Sequence, residues 1–210
     1  MVKEKPLSIK SRYPILTPLV LSVSVLSFCS PKIASMLVFD RDAVMQGEVW
    51  RLFSSYFVHF TNIQLVYNLL VFGIAGWIVE KKSQLHFSLL YLSMALVIGV
   101  TLFVLKPAMT YYGGLSGLAC GFTFYCALLG IVESSPWRMI SKLIIFLLPL
   151  KIFLELHNRV SILPYWGRQA FVIMPGSHLT GVIVALIFYF VLRYGREYWG
   201  QQPNLYQKGF

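Results

Sequence analysis

The chain has 210 residues, of which 57% are hydrophobic and only 12% charged, with a mean hydropathy of +0.69. A soluble domain carries about 25% charged residues, so this composition excludes an ordinary water-soluble globule and implies a polytopic membrane protein. The net charge of +10 does not imply nucleic acid, because Lys and Arg are scattered over short connectors with no basic stripe.

Six apolar segments approach the ~20 residues needed to cross a bilayer: 13–29, 57–79, 84–105, 115–132, 139–157 and 178–194. They predict an all-α polytopic membrane protein, one six-transmembrane-helix bundle filling residues 1–210. No internal repeat, low-complexity tract or second domain interrupts it. The first segment follows Lys3, Lys5, Lys10 and Arg12 and resembles a signal peptide in that respect. Pro14 and Pro18 inside it, and the lack of a small-x-small cleavage site, favour an anchored helix. Lys81 and Lys82 follow the second segment, Arg138 and Lys142 open the fifth, and Arg193, Arg196 and Lys208 follow the sixth. All fall on one side of a six-span chain, against Lys32, Arg41, Arg51, Lys106, Arg159 and Arg168 on the other, a moderate bias that places both termini in the cytosol.

The second segment carries His59, Gln64, Asn68 and, at its far end, Glu80. Gln64 and Asn68 are four apart and share a helix face. Their amides suit either interhelical hydrogen bonding or stabilisation of a developing oxyanion. The fourth segment opens with Gly113-Gly114-Leu115-Ser116-Gly117 and continues to Cys120 and Gly121. Glycines every fourth residue give a face on which another helix can pack closely. The sixth opens with His178, followed by Gly181 and Ala185 on the same face. At ~1.5 Å per residue, Ser116, His178, Asn68 and Gln64 come out roughly 25, 22, 18 and 24 Å above the cytosolic boundary. Ionisable and hydrogen-bonding groups at that depth point to function. A serine nucleophile and a histidine base, with the N-terminal N–H groups of the fourth segment near Leu115 as further oxyanion donors, form a hydrolytic set.

The fifth segment contains Pro149, which permits a kink, and Lys151 with Glu155 four residues on, read as an ion pair near the outer boundary. His178 has no obvious carboxylate partner in the sequence. Cys29, Cys120 and Cys126 lie in apolar segments without metal-site spacing and read as buried, unpaired thiols; no metal or organic cofactor is expected. The connectors at roughly 30–56, 106–114 and 158–177 hold Pro107, Pro164, Gly167, Pro175 and Gly176, residues suited to non-helical backbone around a wet entrance.

Several motifs fall in one order: Trp50-Arg51, then His59 through Asn68 to Gly76 and Glu80, then Gly113-Gly114-Leu115-Ser116-Gly117, then His178-x-x-Gly181. In this the chain resembles the rhomboid intramembrane serine proteases. The resemblance implies a rhomboid-like six-helix bundle and a Ser-His dyad, with Ser116 as nucleophile, His178 as base and Asn68 on the oxyanion. It implies active-site support from His59, Gly114, Gly117, Cys120 and Gly181, and structural roles for Trp50, Arg51 and Glu80. Gln64 stands where many members carry a second histidine, and Cys120 where many carry an aromatic on the base. These departures and the short chain are similar to the rhombosortase branch, which processes C-terminal Gly-Gly-containing anchors. The implied partners are the lipid bilayer and membrane proteins with a transmembrane segment, in a bacterial inner membrane. A non-catalytic relative that binds membrane helices is the alternative; a transporter is disfavoured because no paired broken helices are visible.

Overall fold

A computed structural model describes residues 13–158 and 174–200, the last six by backbone alone. Lys3, Lys5, Lys10, Arg12, Arg159, Pro164, Gly167, Arg168 and Lys208 lie outside the described residues, as does the side chain of Arg196.

Helices dominate. α1 (Leu16–Cys29) ends at Ser30, whose hydroxyl accepts from the Ile33 N–H and caps α2 (Pro31–Leu37), with Pro31 at the first helical position. Next come β1 (Phe39–Asp40), α3 (Arg41–Met45), α4 (Arg51–Ser54) and a 3-10 turn at Ser55–Phe57. The connector expected to be non-helical is therefore largely a series of short helices. Thr61 caps α5 (Asn62–Lys82). Ser83 both ends α5 and caps α6 (Gln84–Leu105) through the His86 N–H at 3.2 Å, so one residue makes the whole turn. β2 (Tyr111–Tyr112) pairs antiparallel with β1, matching Phe39 with Tyr112. α7 (Ser116–Gly130), α8 (Trp137–Asn158) and α9 (Pro175–Gly200) complete the chain. Pro175 and Gly176 belong to the first turn of α9, where a proline needs no N–H partner, and not to the preceding connector.

Among the described residues, α5, α6 and α9 are long and apolar enough to cross a bilayer, and α1 with α2 makes a fourth span only as a pair bent by 116°. α8 has sufficient length but carries four charged side chains, and α7 is a turn or more too short. The short helix is the central one: Leu118, Phe122, Tyr125 and Leu128 are buried along it, against Phe72 of α5 and Met94 and Ile98 of α6. α6 shows the opposite partition between its faces. Phe87, Leu90, Met94 and Ile98 are buried while Leu85, Leu92 and Val104 are 65%, 56% and 62% exposed. An apolar face of that length in water would be an association surface; in lipid it needs no partner.

Two ties fix the ends of the bundle. At one end Glu80 accepts from the backbone N–H groups of Ile15, Leu16 and Thr17 and from the Thr17 hydroxyl, each at 2.7 Å. The carboxylate of α5 thereby caps α1, taking up donors that a helix start leaves unpaired. Nearby, Lys82 at the end of α5 pairs with Glu133, just past α7, at 3.2 Å. At the other end Arg51 donates to the Ser35 and Val38 carbonyls and to Glu48, and the exposed Trp50 donates to the Met36 carbonyl. Arg41 reaches the carbonyls of Phe103, Lys106 and Met109 and lies over the Phe103 ring. These contacts hold the connector between α1 and α5 against the loop that enters α7.

Candidate active site

The level of α7 follows from the Lys82–Glu133 pair. With those residues side by side, Ser116 lies about three residues short of the start of α5, or roughly 5 Å lower. Ser116, the first residue of α7, therefore lies below that end of the bundle, at the level of the first two turns of α5. The side chains agree: Gln64 Nε2 donates to the Gly113 carbonyl at 3.1 Å, while Gln64 Oε1 accepts from the Phe60 N–H at 2.8 Å.

Gly114 makes this approach possible. Its φ of +129° is open to glycine and strained for other residues. A Cβ there would fall 2.5 Å from Gln64 Nε2 and 3.5 Å from Asn68 Nδ2. The loop before Ser116 thus has its backbone against two amides of α5. Gln64 spends hydrogen bonds on holding that loop. Asn68 does not: among the described residues its buried Nδ2 has no partner. A buried N–H₂ without a partner is costly, and this one lies beside the Gly114 turn, two residues before α7 begins. Leu115, fully buried, precedes the helix and anchors this turn.

α9 meets α7 through glycine. A Cβ at Gly117 would lie 3.0 Å from the Ser177 carbonyl oxygen, one at Gly121 2.7 Å from the Gly181 oxygen, and one at Gly181 would collide with the Gly117 carbonyl. Any larger residue would push the helices apart. His178 opens α9 next to this crossing and is buried, whereas Ser116 beside Gly117 is half-buried. The two side chains are not hydrogen-bonded to each other among the described contacts; catalytic hydrogen bonds are often long before substrate is bound.

The partner His178 does have is one that sequence reasoning missed. Its Nδ1 lies 3.2 Å from Glu155 Oε2, and the same oxygen accepts from Lys151 Nζ at 2.9 Å. The absence of a carboxylate partner is corrected here: packing of α8 on α9 supplies one from 23 residues upstream. The signal was present, since a charged pair inside an apolar span defaults to function, but it read as a boundary ion pair. Glu155 is only 1% exposed. Cys120, one turn beyond Ser116, is partly buried and lies within electrostatic reach of Lys151 and Glu155. Tyr112 donates to the Gly114 carbonyl at 3.4 Å. Cys126 is likewise only partly buried and Cys29 is exposed at the end of α1, so the expected burial of the thiols does not hold for all three.

His59 lies ahead of α5, its Nδ1 3.3 Å from the Phe57 carbonyl and its buried Nε2 without a partner among the described residues. Burial pushes this imidazole down to about 4, so it is neutral at pH 7. Val58, beside it, packs on Gly113. His59 therefore sits next to a residue that packs on the loop leading into Ser116. Among the described residues no cluster of His, Cys, Asp and Glu is placed to hold a metal ion.

The arrangement is one in which a serine opens a helix beside two amides of α5, and a buried histidine opens a neighbouring helix that packs on the first through glycine. A model of the rhomboid domain matches residues 46–195. The chain belongs to the rhomboid family. Its similarity to the rhomboid protease GlpG of Salmonella paratyphi A is 28% identity over 156 residues, covering 74% of this chain and 52% of that protein. To GlpG of Salmonella newport and of Salmonella heidelberg it is 29% identical over the same length and shares. The chain spans about half the length of the curated relatives it matches. As a rhomboid with exposed apolar helices, it is an integral membrane protein.

Proposed function

We propose that this rhomboid is an intramembrane serine endopeptidase that cleaves transmembrane or membrane-proximal segments of other proteins. The observation that carries the reading is the unpaired Asn68 amide beside the Gly114 turn, at the head of the helix that Ser116 opens. Ser116 Oγ attacks the scissile carbonyl carbon while His178 Nε2 takes its proton. The tetrahedral oxyanion is met by Asn68 Nδ2 and the first N–H groups of α7. Collapse breaks the C–N bond, and the amine leaves with the proton held on His178. Water, deprotonated by His178, then hydrolyses the acyl ester, releasing the carboxylate and restoring Ser116. Gly117 and Gly181 support the chemistry by allowing α7 and α9 to touch.

The substrate class we assign is single-span proteins with a C-terminal Gly-Gly-containing anchor, on the strength of Gln64 and Cys120 at the two positions that set this chain apart from many rhomboids. All six apolar segments cross the membrane in this reading, the short α7 within a bundle closed around it. Both termini face the cytosol of a bacterial inner membrane, because Lys81, Lys82, Arg138, Lys142 and Arg193 gather at the end opposite the active site.

Labelling by a fluorophosphonate probe in native-like membranes tests the assignment. The unaltered chain reacts, whereas Ser116→Ala and His178→Ala do not. Absence of labelling where a known serine hydrolase reacts would return the chain to the helix-binding alternative. Incubation with reporter proteins bearing Gly-Gly or generic anchors then separates the two substrate classes.

A further inference from the structure

The sequence resemblance implies a catalytic pair without an acid, but a carboxylate sits behind the histidine. We infer that Glu155, charge-balanced by Lys151, is a positioning residue that fixes the tautomer and orientation of His178. The inference rests on the assignment of Ser116 and His178 as nucleophile and base.

An ionised carboxylate can only accept hydrogen bonds. Glu155 Oε2 lies 3.2 Å from His178 Nδ1, so Nδ1 carries the hydrogen and, in the neutral ring, Nε2 is left with its lone pair. That is the tautomer a base must present to a serine hydroxyl, and an imidazole held at one nitrogen cannot turn away without breaking the bond. When the ring accepts the Ser116 proton, the carboxylate already lies against the new positive charge.

Lys151 completes the device. It shares the same oxygen at 2.9 Å and is itself about one-quarter exposed. A lone buried carboxylate would be very costly. Paired with Lys151 it contributes no net charge, so it orients the ring without holding it permanently as imidazolium. A stability role alone is served better by apolar residues of similar volume, and neither α8 nor α9 needs an ion pair to pack in lipid. Among the described residues, the charged groups that act on the ring are Glu155 and Lys151 alone.

The double variant Lys151→Met/Glu155→Leu removes acceptor and counter-charge together and so leaves no unpaired buried ion. It is expected to keep the unfolding midpoint of the parent and to lose fluorophosphonate reactivity by on the order of 10²- to 10⁴-fold, the scale seen when a base is left in the wrong tautomer. Glu155→Gln, whose amide N–H₂ can donate to Nδ1 and so hold the ring in the other tautomer, is expected to lose at least as much. ¹⁵N spectra of histidine-labelled protein, with the His178 signals assigned by their loss in His178→Ala, show a protonated Nδ1 in the parent. They show a tautomer mixture in the double variant. Parental reactivity in the double variant, or an unprotonated Nδ1 in the parent, overturns the inference. The spectrum of the unaltered chain decides even if the variants fail to fold. Failure of the protease assignment looks different: the parent itself, or Ser116→Ala as strongly as the parent, then sets the labelling pattern.

Discussion

Two buried carboxylates, Glu80 and Glu155, are 2% and 1% exposed, and their surroundings could hardly differ more. Glu80, toward the end of α5 that meets α1, is filled by three backbone N–H groups and a hydroxyl, none of which changes charge near neutral pH. Glu155, toward the end of α8 that meets the start of α9, is held by two side chains, Lys151 and His178, that can both carry charge. Burial and helix position do not tell them apart; the chemistry of the donors does. A carboxylate answered by backbone is a joint between α5 and α1. One answered by an imidazole is placed to take part in proton traffic.

The comparison makes opposite demands on the two ends, and they can be broken separately. The largest effect belongs to Ser116→Ala and His178→Ala, each expected to abolish probe labelling while moving the thermal unfolding midpoint by no more than a few degrees, because Ser116 ties no two elements together and loss of His178 leaves Glu155 still paired with Lys151. Asn68→Ala comes next, with kcat lowered by about 10²- to 10³-fold and KM nearly unchanged, since an oxyanion donor acts in the transition state; steady-state cleavage of a reporter substrate measures the split. Glu80→Ala should do the reverse. Removing the acceptor of four hydrogen bonds, three of them at a helix start, costs roughly 3 kcal/mol of stability, read by thermal unfolding in detergent. The fraction that remains folded should label at the parental rate. A Glu80 variant that was stable but unreactive would erase the distinction.

The smallest effect is the most diagnostic of the end that holds Glu155. Protonated His178 cannot take the Ser116 proton, so the labelling rate should fall about tenfold per pH unit once pH drops below the point where His178 is half protonated. His59, pushed down to about 4, stays neutral above pH 5 and contributes nothing to a limb seen there. His59→Gln should therefore leave the position of that limb unmoved. A rate that fell at no acidic pH the folded protein tolerates would remove His178 from the role of base.

Much of the site was legible because its signals are local in the chain. Gly114 announces a turn that other residues strain to adopt, and Gly117 and Gly121 announce a close helix crossing. Asn68 and Gln64 announce polarity where apolar residues belong. The sequence did not distinguish the jobs of the two amides: Gln64 fastens the Gly113 loop, while Asn68 is left unpaired, and only the fold of the loop back onto α5 separates them. The connector before α5 was misread for a related reason. Short helices such as Pro31–Leu37 and Arg41–Met45 hold together through distant partners, among them the carbonyls that Arg41 and Arg51 collect.

By itself, then, the sequence determined the solvent in which this protein lives, its family motifs and its principal apolar segments. Those properties are set by composition, periodicity and motifs of a few residues. Only the tertiary structure decided that Glu80 caps a helix that begins 64 residues earlier and that Glu155 stands behind His178. A hydrogen bond between helices depends on their rotation and depth as well as on spacing along the chain. Those two quantities follow from how small residues such as Gly117 and Gly181 let one helix settle against another.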